Sequence, residues 1–289
     1  MPELPEVERV RRILEPAMAG ARFDRVQLNR RDLRKPFPSG FARRLRGTQV
    51  RALTRRGKYL LGELSSGDTL IMHLGMSGWF RVETTTAMAT RPRDRDTDLD
   101  NRHDHVVFTM SSGMTVTFND PRRFGIMDLV AAGRRPRHPS LGRLGPEPLS
   151  RAFDDRALAG RLATRRISLK AALLDQHVVA GIGNIYASEA LHLAGLSPFR
   201  LASSLVTRAG APRPGCERLV QAIKAVLRRA IALKDSERYR ASRFRSSCVA
   251  GPLPQPALVS LTISSTYMNP VRRRLQNTNE PPVIRLWWR

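Results

Sequence analysis

The chain has 289 residues, 41% of them hydrophobic, with 50 Lys and Arg against 25 Asp and Glu, a net charge of +25 and a pI near 11.6. That length suits one large core or two ordinary domains. The charge favours a polyanionic partner, because cationic side chains release the counterions condensed on a nucleic acid. The absence of any apolar run of about 18 residues excludes a helical membrane span. Charges near the start, where a signal peptide is apolar, and only two cysteines, Cys216 and Cys248, lead to the expectation of a soluble cytoplasmic chain with no disulfide framework.

The chain opens MPELPEVERV. An initiator methionine before a small residue such as proline is normally trimmed, which leaves the secondary amine of Pro2 as the working terminus and a candidate nucleophile. Val7, Val10, Leu14 and Met18 follow at helical spacing, and Gly20 ends the pattern. From 22 to 130, RALTRRGKYLLGEL, TLIMHLGMSGWFRVE, HVVFTM and MTVTFND alternate or run apolar between turn signals such as SSGD and SSG, the pattern of a β-sandwich or barrel. The Pro-, Gly- and Arg-rich AAGRRPRHPSLGRLGPEPL reads as a linker over 131–150. Apolar helical faces then recur from 151 to 235, in RALAGRLAT, LKAALLDQ, IYASEALHLAGL and CERLVQAIKAVLRRAIAL. Residues 236–289 keep no period and read as a poorly ordered tail. The expected fold is α+β: a β domain over 1–130 and a helical domain over 151–235.

Two features inside this frame carry chemistry. Five of the 50 basic residues are lysine, Lys35, Lys58, Lys170, Lys224 and Lys234, and the rest are arginine. Arginine keeps its proton, so the rare lysines are the candidates for proton transfer. In the stretch GIGN, Gly181 and Gly183 make a turn that opens backbone amides, and Asn184 is the expected N-cap of the next helix. Such a helix start suits a phosphate, although a Gly-x-Gly turn between helices is more often only a turn.

PELPEVE, RRGKYL, HLGMSGWF, RHDHVVF, NDPRRFG, LGPEPL and LLDQHVVAGIGNIYASEAL, in this order from residue 2 to about 246, together resemble the bacterial formamidopyrimidine-DNA glycosylase family. The resemblance implies an N-terminal β-sandwich, a helix-two-turn-helix domain, and a bifunctional glycosylase and AP lyase that removes oxidised purines from double-stranded DNA. It implies a Schiff base on Pro2, with Glu3 moving protons and Lys58 donating a proton in β-elimination. Glu6 either holds the amine or only favours the helix dipole. The resemblance further marks Met76, Arg122 and Phe124 as fillers of the gap left by an extruded base, and His103, Arg166, Lys170 and Asn184 as DNA contacts. Residue chemistry agrees: Phe124 can wedge a base step, Met76 adapts to an irregular gap, and Arg122 can donate to an orphaned cytosine. Arg123 in the same loop reads equally as structural.

The departure is at the C-terminus. The resembled family ends in a zinc finger with paired CxxC motifs, but after ERYRASRFR the similarity stops, and no CxxC follows. Structural zinc takes about four N or S ligands, and Cys248 supplies one. No metal site and no cofactor is therefore expected. DNA carrying oxidised bases or abasic sites is the expected partner, with no membrane role and a monomeric state. Two other readings remain: an oxidised-pyrimidine glycosylase of the endonuclease VIII type, and a damaged-DNA-binding protein that has lost catalysis with its finger.

Overall fold

The computed structural model describes residues 1–85 and 101–232; the tail expected over 236–289, and Cys248 with it, lies outside the described residues. Helix α1 runs Leu4–Met18. Val7, Val10, Leu14 and Met18, the residues at helical spacing, are all buried. Pro16 sits inside this helix and removes the bond to the Arg12 carbonyl, a loss of about 3 kcal/mol in an open helix. Burying four apolar side chains at about 1.5–3 kcal/mol each outweighs it.

Among the described residues, eight strands form two four-stranded antiparallel sheets. One sheet orders β1 (Phe23–Leu28), β6 (Asp104–Met110), β7 (Met114–Asn119) and β5 (Trp79–Thr84); the other orders β2 (Val50–Arg56), β3 (Tyr59–Leu64), β4 (Thr69–His73) and β8 (Ile126–Val130). The period of two is visible in the core: Phe80 and Val82, Val106, Phe108 and Met110, Leu70 and Met72, Met127 and Leu129 face inward. Phe80 meets Phe118 at 5.0 Å between ring centres, and Phe23 meets Phe108 at 5.2 Å. A short helix, α2 (Phe41–Leu45), interrupts the strands and adds Phe41 and Leu45 to the same core.

The helical half contains α3 (Asp155–Leu162), α4 (Leu169–Leu174), α5 (Asn184–Leu193) and α6 (Pro214–Ala232). Its core includes Leu158, Leu173, Ile182, Leu191, Leu219 and Ile223, and also Leu4, the first residue of α1. One helix therefore serves both cores, its first turn in the helical half and the rest in the sandwich. All described residues lie in one compact unit of α+β class. Among them, no helix is long and apolar enough to cross a membrane.

Candidate active site and DNA-facing loops

Glu3 stands just before α1, with its backbone N–H donating to Glu6 Oε2 at 2.9 Å. Its side chain reaches across to the start of α5. Gly183 N donates to Oε2 at 2.7 Å, Ile185 N to Oε1 at 2.9 Å and Tyr186 N to Oε2 at 3.4 Å. A carboxylate at a helix N-terminus satisfies orphan amides and meets the positive end of the dipole. This corrects two expectations. The N-cap is Gly183, with Asn184 exposed as the first helical residue, and the amides read as a phosphate site are taken by Glu3. Glu6 also spans the two halves, accepting from the Tyr186 hydroxyl at 2.6 Å. Burial first, and the Glu6 hydrogen bond second, push that hydroxyl far above the ordinary tyrosine range.

Pro2 is buried next to Glu3 while Met1 is exposed. With Met1 attached the Pro2 nitrogen is an amide, and the removal of residue 1 expected from the small second residue is what makes it a secondary amine.

Lys58 follows the β2–β3 turn at Gly57, which takes φ +57°. It is not a solvated turn lysine, being only 5% exposed. Burial pulls its ammonium below the usual lysine range, while the charges of Glu3 and Glu6 act in the opposite direction. His73, at the end of β4, pairs with Tyr59 across the ladder, and the two rings lie 4.7 Å apart. Its Nδ1 accepts from Gly75 N at 3.0 Å. Burial, then the charges of Lys58 and Arg34, lower His73 to about 4, so the ring is neutral at pH 7. Sequence reasoning passed over His73; the register that sets it against Tyr59, one residue from Lys58, is not written in the local pattern.

The loops bearing Met76 and Arg122 to Phe124 are held together. Buried Asp120 accepts from Ser77 Oγ at 2.5 Å and from Gly125 N at 2.7 Å, while Arg122 N donates to Ser77 Oγ at 3.2 Å. Gly75, at φ +62°, lies so close that a Cβ there would stand 2.4 Å from the Phe124 carbonyl carbon. Met76 and Phe124 are 45% and 40% exposed, and the Arg122 guanidinium lies 4.9 Å from the Phe124 ring centre. Arg123 takes φ +57°, and its exposed side chain reaches Asp32 at 3.8 Å. His103 joins this group through its carbonyl, which accepts from Asp120 N at 3.0 Å.

Arg166 is exposed two residues before Ser168, the cap of α4, and Lys170 is the second residue of that helix, its N–H donating to the Pro198 carbonyl. Among the described residues no hydrogen bond or ion pair ties either side chain to Glu3 or Lys58. No group of three or more His, Cys, Asp or Glu among the described residues could hold a metal. Cys216 is buried in α6, donates to the Asp155 carbonyl, and has its thiol pushed up to about 12 by burial. Among the described residues, therefore, no set fits a four-ligand zinc site.

Residues 1–127 match the formamidopyrimidine-DNA glycosylase N-terminal domain, and 144–241 match the H2TH domain of the same enzymes. The chain is 58% identical over 236 residues to a formamidopyrimidine-DNA glycosylase of Rhodopseudomonas palustris (strain BisA53), covering 80% of this chain and 79% of that one. A relative with the same description from Bradyrhizobium sp. (strain BTAi1) is 56% identical over 236 residues, again covering 80% and 79%. Among solved structures, the MutM (Fpg) protein of Thermus thermophilus superposes with a TM-score of 0.67 at 38% identity, covering 84% of this chain and 81% of that one. A Lactococcus lactis Fpg variant in complex with a Fapy-dG containing DNA gives a TM-score of 0.72 at 30% identity, covering 85% and 84%.

Proposed function

Because this chain belongs to the formamidopyrimidine-DNA glycosylase family, it is a DNA glycosylase of base-excision repair that acts on oxidised purines in double-stranded DNA, and we propose that Pro2, Glu3 and Lys58 carry its chemistry. Removal of Met1 frees the Pro2 nitrogen as a secondary amine. An α-amino group titrates near pH 8, so about a tenth or more is neutral at pH 7 and able to attack the C1′ carbon of the lesion. The glycosidic bond breaks, the base leaves with a proton, and the sugar ring opens to a cationic iminium.

Glu3 is the acceptor and donor of protons in this sequence, kept in place by the α5 amides rather than by its own helix. The iminium acidifies the C2′ protons; loss of one expels the 3′ phosphate, and Lys58, brought closer to neutral pH by burial, supplies the proton. The exposed Met76, Arg122 and Phe124 fill the space left by the extruded nucleotide, and Arg122 faces the orphaned base. His103, Arg166, Lys170 and Asn184 hold the backbone of the duplex, contacts that position without reading sequence.

The observation that supports this most directly is the Glu3 carboxylate, fixed by amides from the other half beside residue 2 and acting electrostatically on a buried lysine. Borohydride reduction during reaction with an 8-oxoguanine duplex tests it. The trapped DNA is expected on residue 2, and a short N-terminal extension is expected to abolish trapping. An adduct mapped to any lysine would sink the assignment.

A further inference from the structure

Glu147 lies in the segment between the two halves, yet its carboxylate grips three consecutive residues that lead into Lys58. Oε2 accepts from Arg55 Nη1 at 2.9 Å, and Oε1 accepts from Arg56 Nη1 at 3.0 Å and from Gly57 N at 2.5 Å. Arg56 returns the contact, its Nη2 donating to the carbonyls of Leu144 at 3.0 Å and Gly145 at 2.5 Å. Arg55 is shared with Glu8 of α1 through Nε at 3.3 Å.

The other edge of the same segment is fastened to the helical half. Gly145 N donates to the Gln176 carbonyl at 2.8 Å, and Ala180 N donates to the Pro146 carbonyl at 3.1 Å. A Cβ on Gly57 would stand 3.3 Å from Ala180 Cβ and 3.4 Å from Gly181 N. Gly181 in turn accepts from Leu4 N at 3.0 Å, one residue from Glu3. The turn before Lys58, the turn before α5 and the start of α1 thus meet around residues 144–147.

We propose that Glu147 is a positioning residue for Lys58, holding the turn so that the lysine enters the site opposite Glu3 rather than swinging into solvent. The proposal rests on the reading that Lys58 serves the elimination step. Two adjacent arginines and one amide converge on one carboxylate, an arrangement with the geometric specificity of charge-assisted bonds. Its loss leaves Arg56 with carbonyls alone and frees the Gly57 amide. The groups that face Lys58 are Glu3 and Glu6 from α1 and His73 from β4, with Arg34 acting on His73, so displacement of the turn changes the lysine's surroundings from several sides at once. With the lysine in water, its midpoint rises toward the ordinary value.

The test reads Lys58 directly. Competitive acylation of the full chain over a pH series, with each lysine resolved by mass spectrometry, gives the Lys58 midpoint and reactivity without relying on turnover. Glu147→Ala is expected to raise the midpoint and, because the amine is then in solvent, to increase its acylation rate several-fold at pH values above that midpoint, with Lys224 unchanged; Glu147→Gln, which keeps an acceptor for Gly57 N, is expected to do so in part, and serves alone if the alanine variant does not fold. Nicking of a preformed abasic site is expected to slow by about tenfold or more in Glu147→Ala, and to show no additional loss when Lys58→Met is already present. Unchanged Lys58 labelling in the folded Glu147 variants, or a loss that simply adds to that of Lys58→Met, overturns the inference. Unchanged nicking in Lys58→Met alone overturns instead the role given to the lysine.

Discussion

Replacing Gly183 with alanine isolates the bond between the two halves. The residue has φ −132° and ψ −161°, extended backbone that alanine adopts freely, so no conformational strain opposes the change. The obstacle is Glu3: a Cβ would stand 2.4 Å from its Cδ, 2.6 Å from Oε1 and 2.7 Å from Cγ. The carboxylate must withdraw, and it gives up its 2.7 Å and 2.9 Å bonds to Gly183 N and Ile185 N. Hydrogen bonds to a charged group contribute about 1.5–3 kcal/mol each. Glu3 is only 3% exposed, so water does not replace them. The stiffer unfolded chain returns about 0.4–1 kcal/mol. The net expectation is a destabilisation of about 3 kcal/mol, read as a shift in urea midpoint at unchanged slope. In a Glu3→Ala background the clash is absent, and the same substitution is expected to be neutral or slightly stabilising. Single-turnover base removal should also fall in the single variant, since Glu3 no longer sits where the amides put it. An equal cost of Gly183→Ala in both backgrounds would refute the account, because the penalty would then come from something other than the carboxylate.

Three more outcomes are expected. His73 sits near 4 when folded and near 6.5 when unfolded, so the unfolded chain binds the extra proton between those values. Stability should therefore be full above pH 6.5 and fall by about 3 kcal/mol toward pH 4, while His73→Asn, which keeps an acceptor for Gly75 N, should show less of this loss; parallel acid curves would count against it. Arg122→Ala should shrink the preference for cytosine over adenine opposite the lesion by about 1–3 kcal/mol on defined duplexes, and a general loss of activity with that preference intact would make Arg122 a structural residue. Elemental analysis of the purified chain should give no stoichiometric zinc, and one equivalent per chain would overturn the reading of the C-terminus.

What could be read in the sequence was what short-range physics writes there. The helical spacing of Val7, Val10, Leu14 and Met18 and the alternation of Phe80 with Val82 are burial patterns confined to single elements. The glycines of GIGN announced a turn before a helix, which is where α5 begins. What could not be read is what fills that helix's open end. Glu3 lies 180 residues from Gly183, and nothing in either segment names the other. For the same reason a Pro- and Gly-rich stretch read as a linker conceals Glu147, whose partners lie 90 residues or more away. The burial of Lys58 is contributed by other elements and is not written in RRGKYL, and His73 owes its neutral ring to burial and to the charges of Lys58 and Arg34. The expected cap at Asn184 failed because local preference for Asn was overridden by a carboxylate arriving from outside.

The cap supplied by Glu3 also sets an order of events during synthesis. The first residues leave the ribosome about 180 residues ahead of the amides that will hold them, an interval of roughly 10–40 s at the usual elongation rates of about 5–20 residues per second. Throughout that interval residues 1–3 lack their final surroundings and are open to an aminopeptidase. Once α5 has formed and drawn Glu3 in, Pro2 is buried while Met1 stays at the surface. Maturation of the terminus thus has a window of that length before Pro2 is enclosed, and the amine that the site needs exists only once the methionine is gone.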